Sequence, residues 1–274
     1  PEKLELILKK NKKKRIKAAV ITDYGGQPAQ WKKFLRLKKK YNIIFINDNC
    51  HAIGSSIDNN YGYAVKYADI VTLSFHPVKA ITTGEGGAIL TNNFEYEKKF
   101  KLLRSHGIER KSNKYWHYQI EELGFNFRLP DINCALGISQ LKKIKKFVAK
   151  RKKISKIYDR FFSRNEKFTI PPKITNQSNS FHLYPLMINL KKIKIKKDVL
   201  IKKFLKFGIK LQVHYIPVNN QPYYKKKYGL NLKSFGNSFK FYNDELSIPI
   251  YYDLKNKEMM YFLNVCKKIF KLDN

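Results

Sequence analysis

Short apolar runs alternate with helical stretches through the first third of the chain, and this alternation constrains the fold more than any other feature. AAVITDYGG (18–26) reads as a buried strand that ends in a glycine turn. QWKKFLRLKKKY (30–41) places Trp31, Phe34, Leu35 and Leu37 on one helix face. IIFINDN (43–49), ADIVTLSF (68–75) and GGAILTN (86–92) follow as three further strands. Strands that alternate with helices predict an α/β sheet, and chemistry in such sheets gathers at the carboxyl ends of the strands. Asp23, Asp48, His51 and Ser74 lie just past these runs and are the first candidates.

PDINCALGISQLKKIKKFVAKRKKISKIYDRFF (130–162) predicts one long helix. Pro130 suits a first turn, and Ile132, Leu136, Leu141, Ile144, Val148 and Ile154 recur near helical spacing. Beyond it, FHLYPLMINL (181–190) reads as a strand, KDVLIKKFLKFGI (197–209) as a helix, and KLQVHYIPV (210–218) as another strand. The expected organisation is a larger domain over 1–145 and a smaller α/β domain over 146–274. No internal repeat is present.

Charge sharpens the search. The chain carries 56 Lys and Arg against 21 Asp and Glu, a formal net charge of +35. Such a balance attracts nucleic acid or an anionic surface without a built site. Most of it is Lys, whereas bidentate base reading prefers Arg, and it is spread along the chain. Lys, Asn, Ile, Tyr and Phe share AT-rich codons, so mutational bias on solvated surfaces is the plainer account. No apolar run reaches membrane-spanning length, and PEKLELILKKNKKK has no apolar stretch before a small-residue cleavage site. Cys50, Cys134 and Cys266 are scattered and lack a metal-ligand spacing, which suits free thiols in a reducing cytoplasm.

One window is quiet. From Tyr41 to Glu97 the only basic residues besides histidines are Lys66 and Lys79. Pro77 keeps His76 extended, so the chain is expected to turn tightly before Lys79, with Val78, Ala80 and Ile81 around the amine. An amine among apolar atoms loses its charge more readily and becomes a nucleophile. Thr82 and Thr83 offer hydroxyls, and Gly84, Gly86 and Gly87 permit close backbone approach. Taken singly, an Asp after a strand is a cap, a Ser is a turn former and a His is a satisfied polar group. Together, a desolvated Lys, a buried Asp and a small hydroxyl fit pyridoxal phosphate, which needs an amine, a carboxylate for its ring nitrogen and donors for its phosphate.

NDNCHAIGS (47–55) followed by TLSFHPVKAITTGEGGAILTNN (72–93) resembles the DegT/DnrJ/EryC1/StrS family of sugar aminotransferases. The resemblance continues through LRSHGI (103–108), LGFNFRLPDINCALGISQL (123–141), HLYPL (182–186), GIKLQVHYIPVNNQPYY (208–224) and ELSIPIYYDL (245–254). TDYGGQP, SFHPVKAITTGEGG and QVHYIPVNNQPYY are most similar to the branch serving pseudaminic acid biosynthesis. The resemblance implies a fold type I (aspartate aminotransferase-like) pyridoxal phosphate enzyme with a small C-terminal α/β domain. It further implies amino transfer from L-glutamate to a UDP-linked 4-keto-6-deoxy-N-acetylhexosamine, in a cytoplasmic homodimer whose active site is shared across the interface.

By the same resemblance, Lys79 would hold the cofactor covalently and shuttle protons. Asp48 would keep the pyridine nitrogen protonated, His51 would lie near the ring, and Ser74 would donate to the phosphate. Asn126 would reach the partner's cofactor phosphate, and His214 and Tyr215 would line the sugar-nucleotide pocket. Family members carry a segment ahead of the part that resembles AAVITDYGG, so an N-terminally truncated copy with an incomplete large domain is expected. Other UDP- or dTDP-linked 4-keto sugars, an inactive fragment or half of a split enzyme, and a basic nucleic-acid or anionic-surface binder are the competing readings.

Overall fold

A computed structural model describes residues 1–11, 15–229 and 235–272. The chain divides into two compact units, one of Pro1–Lys146 with Asn176–Ser180, the other of Phe147–Thr175 with Phe181–Asn274.

The first unit is built on a four-stranded sheet whose spatial order follows the chain: Ala18–Thr22, Ile44–Asp48, Ile70–Ser74 and Gly87–Leu90. The first three strands run parallel and the fourth is antiparallel. Register pairs Thr22 with Asp48 and Asp48 with Thr72. Because side chains alternate, Asp48, Thr72 and Ser74 project from one face, while Phe45, Asn47 and Val71 project from the other. The Phe45 face is sealed. Trp31 and Leu37 from helix Trp31–Tyr41, and Tyr63, Ala64 and Tyr67 from helix Tyr63–Tyr67, join Ile21, Phe45 and Val71 in one buried cluster. The Asp48 face is more open, with Val20 and Ile89 exposed at 66% and 51%.

The second unit centres on an antiparallel sheet with Tyr184–Ile188 between Phe168–Thr169 and Glu245–Ile248. Tyr184, Leu186 and Ile188 alternate inward and meet Tyr158, Phe162, Leu200, Phe204, Phe262 and Cys266 from the helices. Leu246 and Ile248 join the same core, which leaves Glu245 and Ser247 on the opposite face of their strand.

Two expected elements differ. The long helix over 130–162 is two helices, Asp131–Leu141 and Ile144–Phe162, separated at Lys142 and Lys143. There the backbone tightens, with Lys143 N–H donating to Gln140 O at 3.0 Å. The two halves present different faces: Ile132, Ile138 and Leu141 are exposed, while Val148, Ile154 and Phe162 are buried. Apolar spacing continues across the break and does not reveal it. The strand expected over 210–218 is a single bridge, Gln212 to Ser247. Two residues on, His214 N–H donates to the Glu245 carboxylate at 3.1 Å instead of to a neighbouring strand, which ends the ladder.

Candidate active site

The carboxyl ends of the three parallel strands carry the expected polar residues, and the structure separates them by role. Asp23, after the first strand, is fully buried. Its Oδ1 accepts from Ala29 N–H at 2.7 Å and Trp31 Nε1 at 2.8 Å. Its Oδ2 accepts from Asn47 Nδ2 at 3.0 Å, Asn49 Nδ2 at 2.9 Å and the Tyr63 hydroxyl at 2.7 Å. Burial pushes this carboxyl up and the donors pull against that shift. Asp23 thus ties three segments together and is a scaffold group.

Asp48 ends the second strand and is half-buried, with Oδ1 accepting from Cys50 N–H at 3.1 Å. Lys79 is half-buried as well. Burial pulls the Lys79 amine below its ordinary range, opposed by the nearby Cys50 thiol and Asp48 carboxylate. Burial, then Asp48, pushes the Cys50 thiol up to about 11, so it stays protonated and unreactive at neutral pH. Asp48, Cys50 and Lys79 therefore form one electrostatic cluster on the open face of the sheet.

The Lys79 turn forms as expected, with Lys79 N–H donating to His76 O at 3.0 Å across Pro77 and Val78. Its apolar surround is different. Ile81 is buried, but Val78 is 64% exposed and points away from any cover. The two threonine hydroxyls are committed to the loop: Thr82 Oγ1 donates to Phe75 O at 2.9 Å and Thr83 Oγ1 to Glu85 O at 2.7 Å. Ser74 Oγ accepts from His76 N–H at 3.4 Å, and a serine hydroxyl in that role still carries a proton to donate. Gly87 sits opposite Ser74, where a Cβ would lie 2.5 Å from Leu73 O. Only glycine lets the fourth strand approach there.

His51 is buried, and its Nδ1 accepts from Gly25 N–H at 3.3 Å. Gly25 has φ 65°, a conformation that suits glycine. Sequence reasoning missed the segment that secures this corner. Ser180, fully buried, donates from Oγ to His51 O at 3.2 Å and from its N–H to Gly26 O at 3.2 Å. Gln177 pairs with Ile57 and meets Gln27 Nε2 at 2.6 Å. The contact spans some 130 residues of sequence (129 from His51 to Ser180), and no local pattern announces it.

Residues 2–269 match the profile of the DegT/DnrJ/EryC1/StrS aminotransferase family. The chain belongs to this family. The UDP-4-amino-4,6-dideoxy-N-acetyl-beta-L-altrosamine transaminase of Campylobacter jejuni is 41% identical over 258 residues, covering 94% of this chain and 66% of that protein. The transaminase of the same name from Helicobacter pylori is 35% identical over 97% of this chain and 69% of its own length. The solved structure of Helicobacter pylori PseC, an aminotransferase involved in the biosynthesis of pseudoaminic acid, matches with TM-score 0.87 and 35% identity. That match covers 97% of this chain and 70% of the solved one. The chain thus spans about two thirds of the length of these relatives. The architecture is the α/β fold type I of pyridoxal phosphate transferases.

Within this DegT/DnrJ/EryC1/StrS member, Asp48 and Ser74 end the two inner strands at the carboxyl end of the sheet, Lys79 lies on the turn that follows Ser74, and His51 lies on the loop that follows Asp48. Asn126 is on a separate, exposed stretch, bridged to Ser105 and flanked by the stacked Phe125 and Phe127 rings, 4.9 Å apart. His214 and Tyr215 belong to the second unit. His214 is half-buried with Nδ1 2.8 Å from Ser247 Oγ, and Tyr215 is 57% exposed. Among the described residues no cluster of His, Cys, Asp and Glu suits a metal ion, and no helix is long and apolar enough to cross a membrane.

Proposed function

We propose that the chain carries the catalytic lysine of a pyridoxal phosphate-dependent transaminase acting on a UDP-linked 4-keto-6-deoxy-N-acetylhexosamine, with L-glutamate as amino donor. The observation that carries this reading is the placement of Asp48, Ser74 and the Lys79 turn together at the carboxyl end of one sheet, in a window otherwise almost empty of lysines. The donor set fits the cofactor: an amine with a weakened proton, a carboxylate to face the ring nitrogen, and the Ser74 hydroxyl for the phosphate. His51, whose loop is pinned by Ser180, stands beside the ring in this reading. When bound, the protonated pyridine ring supplies an electron sink for the pair left by a broken C–H bond.

The chain's own residues do the rest. Asp48 holds the proton on the ring nitrogen. Lys79 Nζ takes the proton from the donor's Cα and later returns one to C4 of the sugar. His214 and Tyr215 bind the sugar nucleotide. The named transaminase relatives support this substrate. Glutamate exchanges its amino group for oxygen and leaves as 2-oxoglutarate, and that amino group replaces the keto oxygen at C4 of the sugar.

The same reading makes the enzyme a cytoplasmic homodimer, with Asn126 reaching the partner's cofactor phosphate. It is supported by the exposure of Trp116, Leu123, Phe125, Phe127 and Ile132 around Asn126. Apolar surface on that scale marks an interaction face.

The test is to incubate the chain with pyridoxal phosphate, reduce with borohydride and map the adduct by peptide mass spectrometry, alongside Lys79→Ala. Labelling concentrated on Lys79, with 2-oxoglutarate released from glutamate when the keto sugar is added, supports the reading. Labelling scattered over surface lysines, the same in both proteins, defeats it.

A further inference from the structure

His214 is gripped twice by one carboxylate. Glu245 is fully buried. One of its oxygens accepts the His214 backbone N–H at 3.1 Å, and the other accepts the Ser247 hydroxyl. Ser247 Oγ lies 2.8 Å from His214 Nδ1. A serine hydroxyl has one proton, and here it goes to the carboxylate. The Nδ1 contact must then run from ring to hydroxyl, with Nδ1 carrying the hydrogen. The backbone repeats the grip, since Gln212 and Ser247 exchange hydrogen bonds at 3.2 and 2.9 Å.

We infer that Glu245 and Ser247 are positioning residues for His214: they fix its ring with Nδ1 protonated and make Nε2 the nitrogen that meets the sugar nucleotide. This rests on the substrate reading of His214 given above. With Nδ1 committed inward, a neutral ring offers Nε2 as an acceptor, suited to a sugar hydroxyl or an amide N–H. Among the described residues, Lys197 and, beside that lysine, Asp244 are the charged groups that act on this carboxylate and its neighbour. Burial pushes the Glu245 carboxyl up, and the Ser247 hydroxyl, the His214 N–H and then Lys197 pull against that shift. Lys197 itself donates to Tyr242 O. A buried carboxylate retained on the face away from the core, and spent on a single histidine, points to orientation of that histidine.

The test is long-range proton–nitrogen NMR on the full chain labelled at histidine nitrogens, with His214→Gln assigning the signal. The expected parent spectrum shows His214 with Nδ1 protonated and Nε2 unprotonated. Ser247→Ala should move it toward the Nε2-protonated form, and Ser247→Thr should restore it. Affinity for the UDP-linked sugar should fall about tenfold in Ser247→Ala, as for one lost hydrogen bond, and recover in Ser247→Thr. Nitrogen shifts unchanged by Ser247→Ala, with sugar-nucleotide binding intact, overturn the relay alone. A parent chain that binds no sugar nucleotide overturns the substrate reading and the role given to Nε2, whatever the nitrogen shifts show.

Discussion

The Tyr63 hydroxyl donates to Asp23 Oδ2 at 2.7 Å, with both residues almost wholly buried. It is one of five donors that make it possible to keep a carboxylate beneath the sheet. Removing it leaves the oxygen with the two asparagine amides. Tyr63→Phe is expected to destabilise the first unit by about 1.5–3 kcal/mol, the range for a bond to a charged group. Urea unfolding of the two proteins checks this, and an unchanged midpoint would mean the hydroxyl is replaceable.

Lys79 should lower the stability of the fold it serves. Its folded pKa lies below the unfolded value of 10.5, with burial as the cause. Below the folded pKa both states are protonated and the cost of the buried charge is felt in full. As pH rises from the folded pKa toward the unfolded one, the native state has already shed its proton, and stability recovers. Lys79→Met should therefore raise the unfolding midpoint at pH 7 and lose that advantage as pH approaches 10.5. Thermal melts across this window decide it; a variant less stable than the parent at pH 7 contradicts the assigned environment.

Asp48→Asn preserves shape and removes the charge beside Lys79. In the proposed transaminase it should lower turnover about 10²-fold, as expected for loss of a preorganised charge at the reacting group. Stability should change little, since Asp48 is only half-buried. Single-turnover rates alongside melting curves separate the two effects.

Arg151 is buried on helix Ile144–Phe162 and donates from one nitrogen to three carbonyls, Phe181 O, His182 O and Ile250 O, at 3.1, 3.1 and 2.6 Å. Burial lowers its pKa to about 10, so the guanidinium stays charged at neutral pH. Arg151→Met fills similar space and leaves three acceptors unserved. A loss of about 3 kcal/mol or more in the second unit is expected, to be read from denaturant unfolding monitored by near-UV circular dichroism.

Ile132 is 86% exposed on helix Asp131–Leu141, in the region assigned to the homodimer face. Ile132→Glu should shift sedimentation from dimer toward monomer at micromolar concentration while leaving far-UV circular dichroism unchanged. A monomeric parent, or a variant as dimeric as the parent, removes this helix from the interface.

Much of this was legible in advance. The four strands of the first sheet lie where short apolar runs predicted them. The first three run parallel with one face against the buried cluster, which demands apolar residues, and the antiparallel fourth was marked by its own apolar run after Gly87. The placement of Asp48 and Ser74 at strand ends and of Lys79 on a turn was legible because strand-end positions and a single retained lysine are local features. Other features were not. The break at Lys142 and Lys143 leaves apolar spacing intact, so periodicity passes through it. The 210–218 run looked like a strand because β-rich composition cannot tell a ladder from a segment held by one bridge and a carboxylate. Val78 reads as cover for Lys79 by adjacency, yet the turn at Pro77 points it into solvent.

The amino-acid sequence by itself determined the α/β class, the family motifs and the chemistry available at Lys79, since these depend on residue type and on spacing along a strand or turn. Tertiary structure alone decided which carboxylates are scaffold and which face the open side of the sheet. Asp23 and Asp48 look alike in sequence, but Asp23 meets donors from Trp31, Asn47 and Tyr63, whereas Asp48 stays half-buried and accepts from Cys50 N–H on the open face. Likewise, only folding brings Ser180 to His51 and Glu245 to His214. A hydrogen bond depends on distance in space, and positions far apart in sequence carry no local mark of it.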